Sequence, residues 1–567
     1  MSNSGDRGRK GMSVAALFLA VALAALAVRA LVLTELWRDL PYYRDTHAGF
    51  DQHTYDTWAR QIAAGDWLSR RQGVFYLTPL YPYMLAGVYA LAGAGNVAAA
   101  IAMNAVFGVG AALCAAGLGR RLFGWYGGLA AGLLMAVAGP QIAWESQPLV
   151  DSLLTVICLG ALWLIVELLS RSPVEAGHGR WLWTLPGLLL GLASVGRASN
   201  LLVGAVMVGC VAAALGRQGR RRAVTAAAFM ILGLAIAVAP CAVRNGLMYG
   251  RWQVTTNGPV TLYVGNAPGA TGIYAFAPHF RADEHDLRDG AYWRAKLLRE
   301  LRERPVSIVP TMLRKAALFF NAWDQADNAN YHFLRRELTS LRLLTVGPLA
   351  LLVSGFLGVV LTAKRWRELA PLHVFGIAFA ASIVAVLVAG RYKLPFYGLM
   401  AVFGGGAAVA VAERVRRAGS RALAAPALAA AALTVLFWPR AFDERLRPLC
   451  PLRQNEFHAN AKALALAGRT AESLSMLEDG AALFPDDVSF VDILALGYLR
   501  EGRPQRSLEW TERAVSRGLT SRRVLEARAV ALSQLGRTQE AVEAARQVLA
   551  VWPDSEMARR VVAGAVP

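Results

Sequence analysis

Charged residues and cysteine are both scarce in this chain, and each scarcity excludes a class of protein. Only 17% of the 567 residues are charged and 56% are hydrophobic, which is more apolar surface than a soluble domain needs. Five cysteines are scattered, four of them in or at the ends of apolar runs, so neither a disulfide framework nor a zinc site is indicated. No Ser-His-Asp, Walker or metalloprotease pattern is present. The composition predicts a polytopic membrane protein.

Acidic residues are also outnumbered, with 39 Asp and Glu against 59 Lys and Arg and a net charge of +20. The basic clusters flank apolar runs, where they fix topology and meet anionic lipid headgroups. They lie at 120–121, 217–222, 364–367 and 414–421. No basic stretch is interleaved with aromatic residues, so nucleic acid is not an expected partner.

The apolar runs predict a bundle of membrane helices. The first run, 12–33, follows Arg7, Arg9 and Lys10, which predicts an uncleaved anchor with a cytoplasmic N-terminus. The run 79–94 is short and ends in a glycine-rich turn, so it is expected to be short or broken as a span. The other runs are 97–119, 124–140, 148–169, 181–215, 223–241, 341–362, 371–389, 395–412 and 422–438.

A polar, acid-containing loop lies between the first two apolar runs, at about 36–78. Within it, the spacing of Tyr55, Trp58 and Ile62 predicts a short amphipathic helix that ends near Gly65. Asp51 comes just before this helix, where an acid either caps backbone N–H groups or belongs to a site. The motif TPLYPY at 78–83 follows, and its prolines fix the entry into the next helix.

Further polar motifs interrupt the apolar part. The stretch 240–266 contains PCAVRN, TNG and LYVGN, whose Gly and Asn residues favour a tight polar turn region within a second loop at about 242–340. Asp151 opens an apolar run, with Glu145 as an alternative acid nearby. Arg197 interrupts another run, and the motif GRYKLP at 390–395 places Arg391 and Lys393 at a helix junction. Each cation either reaches the membrane interface or binds a phosphate.

After residue 439 the composition becomes that of a soluble protein. A Gly-Arg pair recurs every 34 residues, at Gly468, Gly502 and Gly536, with an alanine seven positions before each glycine. A period of 34 residues is typical of tetratricopeptide repeats. We therefore predict a membrane domain at 1–440, a linker at 441–455 and a repeat domain at 456–567.

These motifs together resemble the GT-C glycosyltransferases. The likeness is to bacterial protein-mannosyltransferase and aminoarabinose-transferase-like members, of glycosyltransferase family 39 type. It implies an all-α fold in which a polytopic bundle precedes the repeats. Three positions depart from the family pattern: Ala198 replaces a proline, Cys241 a tryptophan and Lys393 an arginine.

The resemblance also implies roles for individual residues. Asp51 falls at the catalytic acid of the family, and Asp151 is carried over as a second acid of the pocket. The implied ligands of the donor phosphate are Arg197, Arg244, Arg391 and Lys393. The implied substrate-loop residues are Tyr55, Tyr81, Asn245, Asn257 and Asn266.

The function so implied is transfer of a sugar from a polyprenyl phosphate to a protein or glycolipid acceptor outside the cytoplasm. The enzyme would lie in the inner membrane among anionic lipids, with its active site and repeats periplasmic and the repeats available to a protein partner. The spacing of His47, Asp51, His53 and Asp56 is no metal signature, so no cofactor is expected, although some GT-C enzymes use a divalent ion. Two alternatives stay open: an O-antigen ligase or polymerase, and a non-enzymatic scaffold that recruits partners through its repeats.

Overall fold

The computed structural model describes residues 13–170, 179–274, 279–439 and 452–564. Basic residues 7–10 and most of the predicted linker 441–455 lie outside the described residues. The chain forms two compact units. The first contains Met1–Leu36 and Asp45–Pro451, and the second contains Trp37–Arg44 and Leu452–Pro567.

The first unit is helical in its described part, as the sequence predicts, and its one β-type pairing there is an isolated bridge between Ala138 and Val346. Its first nine helices are α1 (Val14–Asp39), α2 (Asp51–Ala63), α3 (Leu80–Ala92), α4 (Val97–Ala136), α5 (Gly139–Glu145), α6 (Asp151–Leu169), α7 (Thr184–Gly196), α8 (Asn200–Gly216) and α9 (Arg220–Tyr249). The next nine are α10 (Gly258–Asn266), α11 (Gly290–Glu303), α12 (Ile308–Phe320), α13 (Tyr331–Glu337), α14 (Thr339–Leu344), α15 (Pro348–Leu361), α16 (Ala370–Val386), α17 (Leu394–Ala418) and α18 (Ala424–Phe437).

Six helices of the described chain are long and apolar enough to cross a membrane. They are Val14–Asp39, Val97–Ala136, Asp151–Leu169, Arg220–Tyr249, Gly390–Ala418 and Ser420–Phe437. Four shorter apolar helices accompany them: Leu80–Ala92, Asn200–Gly216, Pro348–Leu361 and Ala370–Val386. The segment expected to be short or broken is among the shorter ones, because Gly93 and Gly95 take positive φ angles directly after α3.

Close packing of α17 against α4 and α15 places the start of α17 within the bundle. Gly405 lies against the backbone of Gly127, where a Cβ atom would collide with a carbonyl oxygen. Small residues at such contacts let two helices approach closely. In a bilayer this close packing stabilises the helix pair, because the surrounding lipid provides no hydrophobic driving force for their association. Residues Leu394–Ala407 of α17 are consequently buried throughout.

Two interruptions of the apolar helices create non-helical backbone within the bundle. Helices α7 and α8 are separated at Arg197, whose backbone is extended, within the motif GRASN at 196–200 that interrupts the apolar run 181–215. Helices α16 and α17 are separated by residues 387–393, of which Gly390–Lys393 form a 3₁₀ turn. Irregular backbone at membrane depth is tolerated where it is buried in protein or lines a cavity. Both interruptions therefore mark the candidate site.

The first loop forms the predicted amphipathic helix. Helix α2 begins at Asp51 and ends at Ala63, with Tyr55, Trp58 and Ile62 buried as the apolar spacing indicates. Its exit is closed by Gly65, which has a φ of 105°. The helix packs on α3 of the same unit. Asp51 is thus fixed as the first residue of a packed helix.

The second unit contains successive helices of similar length that are joined by short turns. Gly468, Gly502 and Gly536 each follow a helix with a positive φ, which explains why glycine recurs there. Neighbouring helices pack on one another in chain order. They are α19 (Gln454–Leu466), α20 (Thr470–Leu483), α21 (Val488–Arg500), α22 (Pro504–Ser516), α23 (Arg522–Gln534), α24 (Thr538–Val551) and α25 (Glu556–Val562). The assignment to tetratricopeptide repeats stays a prediction.

Candidate functional site

The guanidinium group of Arg391 is the centre of the candidate site. Nη2 lies 2.5 Å from Oδ2 of Asp51, and Nε donates to Oδ2 of Asp327 at 2.7 Å. Nη1 lies 3.6 Å from Oδ2 of Asp151. The Arg391 side chain is only 6% exposed. A buried arginine is stable only when anions are paired with it, and here three carboxylates surround it.

The turn that carries Arg391 is held by neighbouring backbone. The N–H of Gly390 donates to the carbonyl of Gln325 at 2.9 Å. Nζ of Lys393 donates to the carbonyls of Leu318, Asn321 and Trp323 at 3.0–3.2 Å. Lys393 thus fixes the turn to the segment that follows α12.

Asp51 is held by its place at the start of α2. Its backbone N–H donates to Oδ1 of Asn328 at 2.8 Å, which satisfies one of the N–H groups that every helix start leaves free. The amide of Asn328 also reaches Oδ2 of Asp51 at 3.4 Å. The Asp51 side chain keeps 31% of its surface exposed, so it is the most open of the three carboxylates.

Asp151 and Arg197 form a second charged pair beside Arg391. Asp151 begins α6, is 1% exposed and accepts a hydrogen bond from Nη2 of Arg197. The Arg197 guanidinium lies 3.8 Å from the ring centroid of Tyr392, which is cation–π geometry. Two cations therefore face three carboxylates within one buried cluster.

A pocket of about 290 Å³ opens onto this cluster. Its polar lining includes Asp51, Tyr55, Arg197, Ser199, Asn257 and Arg391. Its other side is apolar and includes Leu77, Val150, Leu262, Ile383, Val386 and Leu387. Of the eleven site residues that the sequence predicts, five line the pocket. Asp151 lies behind them and forms ion pairs with two lining residues, Arg197 and Arg391. Such a pocket accommodates a ligand that is charged at one end and apolar at the other.

Arg244 and Asn245 lie outside the pocket and hold loop backbone. Arg244 donates to the carbonyls of Leu68, Ser69 and Gly73 at 2.6–3.0 Å. The amide of Asn245 donates to the carbonyls of 253 and 254. They fasten the first loop and a turn of the second loop, and the phosphate-binding role of Arg244 and the substrate-loop role of Asn245 stay predictions.

The other predicted residues outside the pocket are buried and paired. The Tyr81 hydroxyl donates to Oδ1 of Asn104 at 3.0 Å. Asn266 donates to backbone carbonyls and accepts from Nζ of Lys315 at 2.6 Å. The alternative acid Glu145 pairs with Arg29 at 2.8 Å. These contacts are structural, whereas phosphate binding by Arg244 and Lys393 stays a prediction that their placement does not favour.

The sequence reasoning missed the segment 323–330, which reads WDQADNAN. It supplies Asp327 to Arg391 and Asn328 to Asp51. Asp324 of this segment is buried beside Lys393 and accepts a hydrogen bond from the Trp144 indole at 3.2 Å. Burial raises the pKa of the Asp324 carboxyl, and the Lys393 charge opposes that rise. The available signal was the density of acids and amides shortly after the apolar stretch AALFF at 316–320.

The three carboxylates around Arg391 are oxygen ligands of the kind that a divalent cation takes. The guanidinium of Arg391 already lies among the three acids at hydrogen-bond or ion-pair distance. Within the described ranges no group of three or more His, Cys, Asp and Glu side chains is arranged to hold a metal ion. Among the described residues, the three carboxylates are therefore already paired with arginine, and this arrangement does not fit a metal ion.

Comparisons with known proteins agree with the class that the motifs indicate. The family model of dolichyl-phosphate-mannose-protein mannosyltransferase matches residues 77–244. This range contains helices α3 to α8 and includes Asp151 and Arg197 of the candidate site. No match was found among curated proteins.

Two of the solved structures that match this chain are those of AglB and ArnT. The oligosaccharyltransferase AglB of Archaeoglobus fulgidus, solved with an inhibitory peptide and a dolichol-phosphate, is 14% identical with a TM-score of 0.44. The match covers 76% of this chain and 56% of AglB, so this chain spans about half of that protein. ArnT of Cupriavidus metallidurans, solved with undecaprenyl phosphate, is 16% identical with a TM-score of 0.42, covering 94% of this chain and 79% of ArnT. These likenesses are too distant to transfer a substrate or a residue role.

The family match is confined to one part of the membrane unit. Residues 77–244, less than a third of the chain, are similar to the dolichyl-phosphate-mannose-protein mannosyltransferase family. That similarity and the loop motifs indicate the class of membrane glycosyltransferases to which the proposal below assigns the chain.

Proposed function

We propose that this chain transfers a glycosyl group from a polyprenyl-phosphate-linked sugar to an acceptor outside the cytoplasm. The observation that carries the proposal is the direct pairing of Asp51 with Arg391 at the wall of one pocket. An acid that can take a proton and a cation that can hold a phosphate are the two groups this reaction needs. The acceptor is a protein or a cell-envelope glycolipid.

Asp51 acts as the general base in this proposal. A hydroxyl of the acceptor gives its proton to Asp51 while its oxygen forms a bond to the anomeric carbon of the sugar. The bond between that carbon and the phosphate oxygen breaks, and the electron pair leaves with the phosphate. Asp51 suits the role because it is the most exposed of the three carboxylates.

Arg391 and Arg197 stabilise the leaving phosphate in this proposal. Both line the pocket. A hydrogen bond between an arginine and a phosphate is strong because both partners are charged. The buried Nη1 of Arg197 has no hydrogen-bond partner among the residues that the structure describes. An unpaired buried donor is costly, which favours an anion at this position. The apolar wall formed by Leu262, Ile383 and Val386 offers a place for the start of the prenyl chain.

The test uses purified full-length protein in detergent with radiolabelled undecaprenyl-phosphate hexoses and pentoses. The acceptor is the envelope fraction of a strain that lacks the gene. We expect transfer by the wild type from at least one donor, and loss of transfer in Asp51→Asn because an amide keeps the shape but cannot accept the proton. The matched control is Asp283→Asn, an exposed acid of the second loop that pairs with Arg281 at 3.3 Å. Near-normal transfer by Asp51→Asn would end the assignment of the base.

A further inference from the structure

The segment 323–330 contacts both partners of the Asp51–Arg391 pair. Asp327 accepts from Nε of Arg391 at 2.7 Å, and its neighbour Asn328 accepts from the backbone N–H of Asp51 at 2.8 Å. Two adjacent residues thus hold the two groups to which the proposed reaction assigns opposite tasks. Asp327 is not part of the pocket lining, so its contact with the site goes through Arg391.

The segment is itself firmly anchored. The carbonyl of Gln325 accepts from the N–H of Gly390, and the backbone N–H of Asp324 donates to Nε2 of His332 at 3.2 Å. The N–H of Asp327 donates to the carbonyl of Ala329 at 3.1 Å. Residues 321–330 are buried apart from a partly exposed Asp327. A carboxylate on this segment is therefore a fixed point against which a guanidinium can be oriented.

Arg391 has to change partner during the proposed reaction. In this structure its Nη2 is bonded to Asp51, the group that must be released to accept a proton. The third carboxylate, Asp151, is already paired with Arg197. If Asp327 were absent, Asp51 would be the nearest carboxylate left to Arg391, and the two groups would neutralise each other. The geometry of Nε and Nη2 lets one guanidinium keep the first contact while it exchanges the second.

We propose that Asp327 is a positioning residue that holds Arg391 through Nε while Nη2 passes from Asp51 to the phosphate of the donor. This inference rests on the proposed function and adds a residue to it. Asp327 touches neither substrate in this scheme. Its effect is to keep Arg391 available to the phosphate and Asp51 available to the acceptor.

The experiment compares Asp327→Asn, Asp327→Glu and Asp283→Asn with the wild type in the transfer assay with undecaprenyl-phosphate hexoses and pentoses. We expect the maximal rate of Asp327→Asn to fall by about 100-fold, the effect of misplacing a reacting group by roughly 1 Å. Its KM for the donor should stay equal or decrease, because the variant removes one negative charge near the phosphate. Asp327→Glu should recover at least about a tenth of the wild-type rate, since it restores the carboxylate. Asp283→Asn should match the wild type.

A second variant covers the case in which the amide disturbs folding. Asp327→Ala leaves a space that is partly exposed to solvent, and added formate should raise its rate in a concentration-dependent way. A carboxylate supplied from solution replaces a positioning charge but does not refold a damaged protein. Thermal unfolding of each variant is measured in parallel.

Three outcomes would overturn the inference. A wild-type rate in Asp327→Asn would show that Arg391 needs no such anchor. A loss of rate with a matching rise in donor KM, with no recovery by glutamate or formate, would show a purely structural role. Absence of transfer by the wild type from every donor would overturn the proposed function and this inference together, and it is distinguished from the other two by the wild-type control.

Discussion

Replacing Arg391 by alanine should weaken the binding of undecaprenyl phosphate and leave three carboxylates facing one cation. In the wild type, Arg391 and Arg197 together face Asp51, Asp151 and Asp327. Each charged hydrogen bond lost to a phosphate is worth about 1.5–3 kcal/mol. Since about 1.4 kcal/mol is a tenfold change, we expect the dissociation constant to rise by about 10- to 150-fold.

The same substitution should also lower the stability of the fold. Removing one partner of a buried ion pair costs about 3–5 kcal/mol, because the remaining charge stays buried without compensation. The remaining carboxylates of Asp151 and Asp327 are 1% and 16% exposed, so solvent compensates for little of that loss. Binding is therefore measured well below the unfolding temperature of the variant. Arg391→Lys keeps the charge but loses the planar fork, and we expect its affinity to lie between those of the wild type and the alanine variant.

The assay is native mass spectrometry of purified protein titrated with undecaprenyl phosphate in detergent. The matched control is Arg281→Ala, which removes an arginine that is 77% exposed and paired with Asp283. That control should bind undecaprenyl phosphate as the wild type does. An unchanged dissociation constant in folded Arg391→Ala would refute the reasoning, and Arg391 would then be a structural cation at a helix junction.

Three further predictions concern the surroundings of the site and the topology. Gly390→Ala should lower both stability and transfer, because a Cβ atom there would overlap the buried carboxylate of Asp324. Thermal unfolding and the transfer assay measure the two effects, and a variant equal to the wild type in both would contradict the prediction. Burial lowers the pKa of His332 from 6.5 to about 4, so the neutral ring is favoured in the fold and stability should decrease as the pH falls below about 6.5. His332→Gln should reduce the difference in unfolding temperature between pH 7 and pH 5, and an unchanged difference would assign it to other groups. A reporter active only outside the cytoplasm, fused after Pro567, should be active, since one crossing at 422–438 follows the basic cluster 414–421. An inactive fusion of stable, full-length protein would reverse the predicted side of the repeats.

Several local features of the site could be predicted from the sequence because they depend on neighbouring residues alone. The apolar spacing before Gly65 determined the helix that begins at Asp51, and the GRASN motif determined the break at Arg197. In both places a local rule decides the backbone: an amphipathic repeat in the first, and a charged, turn-forming interruption of an apolar run in the second. The same rule predicted the helix junction at GRYKLP.

The direction in which each side chain points was decided only by the tertiary structure. Arg391 and Lys393 are two residues apart on one turn, yet Arg391 meets Asp51 whereas Lys393 meets the carbonyls of Leu318, Asn321 and Trp323. Arg244 matches the family motif and holds backbone of the first loop instead of lining the pocket.

The sequence by itself thus determined the membrane class, the interruptions of the helices and the identity of Asp51 and Arg391 as candidates. Only the tertiary structure brought Asp51 and Arg391 together across 340 positions of the chain, and only it added Asp327. The physical reason is that helix starts and turns follow from short-range sterics and hydrogen bonding. The pairing of a buried charge depends instead on which distant segment the packing of the bundle brings beside it.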